Sequence, residues 1–241
     1  MCTLILGLGV VAPRTVVLAA NRDEDPARPS DPPVILSHRP LIVGGRDRVA
    51  GGTWLALRGP GAVVAMLNRR GEAGAAPRRS RGLLTLDVAR APEAAAARGL
   101  VARDRYAPFT LLCATPDKAW VLTWDGRATR ITIATPGWHV LTHAEMDDPT
   151  EPRTASLLES LAGFAPRSRA AAEARLCGLL SRHGEPAVCL HEGRMATVSA
   201  ALVWLAAGET SYRHAEGRPC VTPFQDFSPL LADAESPSED G

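Results

Sequence analysis

The sequence has little that would mark a secreted, membrane-spanning or polyanion-binding protein. No basic stretch precedes its first apolar run, CTLILGLGVVA (2–12), so that run does not read as a secretory signal. It is also too short for a bilayer, which takes about 20 apolar residues, and no stable membrane insertion is expected. The five cysteines (Cys2, Cys113, Cys177, Cys189 and Cys220) are odd in number and scattered. They make neither a disulfide framework nor a paired zinc spacing, and a reducing, cytoplasmic setting is expected. An excess of one charge is missing too: 27 Lys and Arg face 26 Asp and Glu, a net charge of +1. That balance argues against a nucleic-acid partner, and the local RR (69–70) and PRRSR (77–81) clusters read as solvated loops. There is no internal repeat and no inter-domain linker. Nothing in the pattern speaks to oligomeric state.

What is there suits a globular chain: 46% hydrophobic and 22% charged residues over 241 positions. One domain is expected over 1–231, with ADAESPSEDG (232–241) an acidic, disordered tail. Richness in alanine, arginine, glycine and proline suggests a GC-rich bacterial genome. CTLILGL and TVVLAAN read as two strands joined through VVAPR, a hairpin. NRDEDPARPSDPP (21–33) reads as a proline-broken loop. LIVGG, GTWLALR and AVVAMLN follow as strands, the last two joined by GPG. Leu83–Arg105 reads as helical, interrupted at Pro92. FTLLCAT, AWVLTW, TRITIAT and WHVLTH are further strands, then helices are expected at Glu151–Ala162 and Ser168–His183. MATVSAALVWLAA, SYRHAEG and CVTPF close the chain as β-like segments. Antiparallel runs with helices grouped between them predict an α+β fold.

Cys2, directly behind the initiator methionine, is the first candidate for chemistry. Removal of Met1 leaves a residue carrying both a thiol and a free α-amine, with ordinary pKa values of about 8.5 and about 7.7–8.0. A base for the nucleophile then comes with the same residue. If the first two strands pair as a hairpin, Cys2 meets the Asn21–Arg22–Asp23–Glu24 segment. Arg22 or an ammonium there favours the thiolate. Asn68 and backbone N–H groups are placed to receive the charge of an attacked carbonyl. Thr197 and Ser199, alternating on one strand, are candidates for lining a cleft. The five tryptophans (Trp54, Trp120, Trp124, Trp138 and Trp204) read as core. His183 and His191 read as surface residues. Cys189 and His191 share a strand face by spacing, but no third or fourth ligand stands near them, and no metal site is expected.

MCTLIL, then NRDE (21–24), GGTWLAL (51–57), LNRRG (67–71) and SRG (80–82) together resemble the NRDE family, also called the transport and Golgi organisation 2 family. PFTLLCA (108–114), PGWHVLTHAEMDDPTEPR (136–153) and MATVSAALVWL (195–205) continue the resemblance in order. It implies an N-terminal nucleophile hydrolase-like fold of the penicillin V acylase and bile-salt hydrolase branch, with two antiparallel sheets between helix layers (αββα). It further implies Cys2 as nucleophile, Asp23 beside its amine and Asn68 as an oxyanion donor. His143, in Leu141–Thr142–His143, stands where an asparagine is expected, and Ala20 where an arginine is. Arg22, two positions on, has the same facing as Ala20. Asn21, Glu24, Thr197 and Ser199 are then substrate-binding candidates.

The expected function is a cysteine N-terminal nucleophile amidohydrolase acting on a small amide or N-acyl compound, with no required cofactor. An alternative from the family is intracellular haem handling, with haem held by Cys2, His143, His191 or His214. A third is an inactive scaffold of the same fold. The substrate itself is not legible in the sequence.

Overall fold

The computed structural model describes residues 2–59, 61–69 and 78–232. All but the first residue of the expected acidic tail, Pro60 of the GPG turn and the end of LNRRG lie outside the described residues. The chain opens with β1 (Thr3–Leu8), β2 (Val16–Glu24), β3 (Ser30–His38), β4 (Leu41–Asp47), β5 (Leu55–Arg58) and β6 (Ala62–Asn68). Helices α1 (Arg81–Arg90) and α2 (Ala94–Arg103) follow, then β7 (Phe109–Ala114), β8 (Ala119–Trp124), β9 (Thr129–Ala134) and β10 (Gly137–Leu141). Helices α3 (Pro152–Leu161) and α4 (Arg169–Leu180) precede β11 (Ala196–Ala206), β12 (Glu209–Ala215) and the two-residue β13 (Gln225–Asp226).

A six-stranded sheet runs β10-β1-β2-β11-β12-β13, and a seven-stranded sheet runs β3 to β9 in chain order. Strand alternation sends each strand's side chains to two cores. Leu4, Leu6 and Leu18 meet Val43, Leu57 and Leu112 between the sheets. Ile5, Val17 and Ala19 pack outward on Leu157, Leu161 and Leu176 of α3 and α4. Val64, Met66 and Leu111 pack outward on Leu84, Val88 and Val101 of α1 and α2. The result is the αββα sandwich. Both faces of both sheets are covered, which is why so many strands read as unbroken apolar runs.

Local chemistry sets the helix ends. Ser80 accepts from the Gly82 N–H at 3.2 Å, Glu151 from the Thr154 N–H at 2.7 Å and Ser168 from the Ala171 N–H at 3.2 Å. These bonds cap α1, α3 and α4. Pro92, with no N–H to donate, sits in the break between α1 and α2.

Three expectations change. The loop expected at 21–33 shrinks to 25–29, because β2 continues through Glu24 and β3 begins at Ser30. Pro32 and Pro33 are tolerated there because β3 is an edge strand whose register shifts between Asp31 and Pro33. CVTPF is not a strand; pairing resumes at β13, where Arg213 faces Asp226. Helix α4 ends at Leu180, which leaves His183 in the connection that follows.

Candidate active site around Cys2

The first two strands form the expected hairpin, with Thr3 opposite Asn21. That register sets Cys2 beside Arg22 and Asp23. Cys2 shares the facing of Leu4 and Leu6, so its side chain turns between the sheets. It reaches a cavity of about 430 Å³. Cys2, Arg22 and Glu24 form one wall and Trp54, Met66 and Asn68 another. Ser80, Arg81 and Gly82 at the start of α1 close a third side, with Ser199 and His214 from β11 and β12.

The Cys2 thiol donates to the Asp23 carbonyl at 3.7 Å. Burial pushes its pKa up to about 11, and the Asp23 charge adds to this. The Arg22 charge pulls the other way but is outweighed. In the full chain, therefore, residue 2 is a thiol at neutral pH, not the thiolate that Arg22 alone would favour.

Alternation divides the NRDE segment between the two faces of β2. Arg22 and Glu24 face the cavity, and Arg22 lies 3.7 Å from Glu24 and donates to the Ser30 hydroxyl at 3.4 Å. Asn21 turns to the helix layer, where its amide donates to the carbonyls of Leu180 (2.9 Å) and Val188 (3.0 Å). It ties β2 to the end of α4 and does not line the cavity. Asp23 also turns outward and is buried. Its Oδ1 accepts from the Thr197 hydroxyl at 2.7 Å, and its Oδ2 lies 3.5 Å from Arg153 Nη1. The same guanidinium nitrogen donates to the Thr3 hydroxyl at 2.9 Å. Burial raises the Asp23 pKa, against the Thr197 bond and the Arg153 charge.

Thr197 and Ser199 do not line one wall together. The β2–β11 register shifts between them, so Thr197 faces Asp23 while Ser199 faces Arg22. The extra residue, Val198, moves Thr197 to the helix side and leaves Ser199 on the cavity. Asn68, at the end of β6, lines the cavity as expected. His143 is not among the cavity residues; the β1–β10 ladder ends at Leu4 opposite Leu141, and the His143 charge acts on Asp148 and Glu151.

The sequence gives no site role to Arg153 or Trp54 and reads PRRSR (77–81) as a solvated loop, but Arg78, Arg79 and Arg81 of that cluster line the cavity. Arg81 donates to the Pro108 carbonyl at 2.9 Å. Burial pulls its pKa down, against the charges of Glu24 and Cys2. Its signal in the sequence was the SRG motif, whose glycine packs on Gly52 of GGTWLAL: Thr53 N–H donates to the Gly82 carbonyl at 3.1 Å. No periodicity singles out Arg153. By spacing, no third or fourth ligand stands near Cys189 and His191, but the fold brings His183 and Cys220 beside them.

A family model described as Transport and Golgi organisation 2 matches residues 1–185. The chain belongs to the transport and Golgi organisation 2 family. No curated protein sequence matches this family member significantly. Among solved structures it is similar to a Caenorhabditis elegans N-acylethanolamine-hydrolyzing acid amidase ortholog, at 13% identity and TM-score 0.60 over 98% of both chains. It is also similar to a conjugated bile acid hydrolase from Clostridium perfringens, in a variant form, at 10% identity and TM-score 0.54, covering 95% of this chain and 93% of that one. At these identities the likeness shows the fold, which is that of N-terminal nucleophile hydrolases. No described helix of this family member is long and apolar enough to cross a membrane.

Proposed function

We propose that this chain is a cysteine N-terminal nucleophile amidohydrolase that cleaves a small amide or N-acyl compound. The observation that carries the reading is the placement of the Cys2 thiol on a cavity wall, with the buried Asp23 carboxylate anchored behind it. The fold relatives, by name an amidase and a conjugated bile acid hydrolase, support the same chemistry.

Removal of Met1 frees the Cys2 α-amine next to Asp23, whose carboxylate holds it. The thiol proton passes to that amine, and the thiolate attacks the substrate carbonyl carbon. The Asn68 amide and backbone N–H groups receive the developing oxyanion. Collapse breaks the C–N bond, and the leaving amine takes the proton from the α-ammonium. Water, deprotonated by the α-amine, then attacks the thioester; the acid leaves and the thiol is restored. Arg22 and Arg81 on the cavity wall suit a substrate with an acidic group.

The test is intact mass of the untagged protein, followed by brief incubation with N-acyl compounds. The expected result is loss of Met1 and an acyl adduct on the wild type that is absent from Cys2→Ala. Turnover by a chain that retains Met1, or undiminished turnover by Cys2→Ala, overturns the reading.

A further inference from the structure

Beyond the cavity, two connections meet on the surface. The segment between α4 and β11 carries His183, Cys189 and His191, and the segment after β12 carries Cys220. One ligand atom from each of the four lies within 4.8 Å of all the others. His191 Nε2 is 3.1 Å from His183 Nε2 and 3.2 Å from Cys220 Sγ, and the two sulfurs are 3.6 Å apart. A tetrahedral zinc ion with ordinary bond lengths separates its ligands by about 3.3 Å (N to N), about 3.6 Å (N to S) and about 3.8 Å (S to S). These three separations fall within about 0.4 Å of those figures, and the remaining three stay within 4.8 Å. Pairwise hydrogen bonds, or a disulfide between Cys189 and Cys220, account for two of the residues at a time. Neither accounts for four donor atoms gathered within 4.8 Å of one another.

We propose that His183, Cys189, His191 and Cys220 bind one zinc ion, which staples the α4–β11 connection to the segment after β12. Two thiolates and two imidazoles in a tetrahedron form the donor set of a closed, structural zinc site with no position left for a reacting water. Three of the four ligands lie beyond residue 185, where the family match ends, so the site is a property of this chain rather than of that match.

The ion also has a route to Asp23, behind Cys2. Leu190, between two of the ligands, donates to the Thr197 hydroxyl at 2.9 Å and accepts from the Thr197 N–H at 3.0 Å. Thr197 in turn donates to Asp23. Val188, next to Cys189, accepts from Asn21. The ligand loop therefore aligns both outward-facing polar residues of β2, Asn21 and Asp23, and zinc acts as a positioning element for Asp23. This second role rests on the function proposed above; zinc binding itself does not. Arg218 Nη1 lies 3.2 Å from His191 Nδ1. Zinc on Nε2 leaves the ring proton on Nδ1, so that contact opens when the ion binds.

The test is elemental analysis of the purified full chain after dialysis against metal-free buffer, then titration of the stripped protein with Zn²⁺ and Co²⁺. One equivalent of zinc is expected, with Co²⁺ giving intense tetrahedral ligand-field bands and a thiolate charge-transfer band. His191→Ala and Cys220→Ser should lose the equivalent, while Arg218→Ala keeps it. Should those variants fail to fold, the wild-type titration decides alone. A reduced chain with all thiols titratable that takes up neither ion overturns the site. So does a Cys189–Cys220 disulfide in a chain that stays metal-free after reduction. If zinc binds but its removal leaves acyl-adduct formation on Cys2 unchanged, the positioning role fails and the site stands.

Discussion

His214 sits in the cavity wall with Nδ1 lacking a partner among the described residues. Burial, and then the Arg22 charge, push its pKa down from 6.5 to about 4. Between those values the unfolded chain binds a proton that the folded chain refuses, so stability is lost as pH falls. The loss attributable to His214 is on the order of 2 kcal/mol between about pH 7 and about pH 5. His214→Gln is expected to flatten that dependence, read as a smaller difference between urea midpoints at the two pH values. His139 has the opposite sign: its ring lies 2.6 Å from Asp147, and that hydrogen bond raises its pKa. Its contribution is present below 6.5 and is lost as pH rises through the folded value. Among the cavity residues the sequence made Cys2, Arg22 and Glu24 legible through a hairpin whose aliphatic runs set the register, and Asn68 through the LNRRG motif of the family resemblance. It gave no signal for His139, whose ring is held by Asp147, whereas His143 drew attention by its place in Leu-Thr-His.

At the scale of elements, the start of α1 is held by a backbone contact between two glycines. A Cβ on Gly52 collides with the Gly82 backbone and comes within 2.5 Å of Leu83 N. Gly52→Ala is therefore expected to cost about 1–3 kcal/mol, measured by denaturant unfolding. Because Arg81 precedes Gly82, the same variant should also weaken substrate binding under the proposed function, seen as a raised KM for an N-acyl compound that acylates Cys2. GGTWLAL and SRG were visible as separate motifs, but their contact was not, since nothing in either says that β5 passes α1 so closely. The Val198 bulge was equally hidden. Strict alternation through MATVSAAL puts Thr197 and Ser199 on one face, and a bulge leaves no mark in a run of small and β-branched residues. The edge position of β3 escaped for a related reason: paired prolines read as loop unless the neighbouring strand is known to be missing on one side.

For the whole molecule, the cavity is lined from both sheets, so a ligand held there would touch both halves of the sandwich. Binding to the folded chain alone should stabilise it by about 2.7 kcal/mol at a hundredfold excess over Kd. For a chain of this size that is a rise of roughly 5–10 °C in Tm. Cys2→Ala, in which the function proposed above removes turnover, is the form in which to measure it by calorimetry. The layered architecture was legible because apolar runs, turns and helical stretches come in a distinctive order. The four-residue cluster was not, because its last member stands 29 positions beyond the nearest of the others, and only the folded loops bring them together. The two faces of β2 have a consequence for how such a chain can diverge. Residues 22 and 24 border what enters the cavity, while 21 and 23 anchor the strand from behind. Changes at the cavity wall and changes in the strand's anchorage can therefore be inherited separately, from alternate letters of one short word.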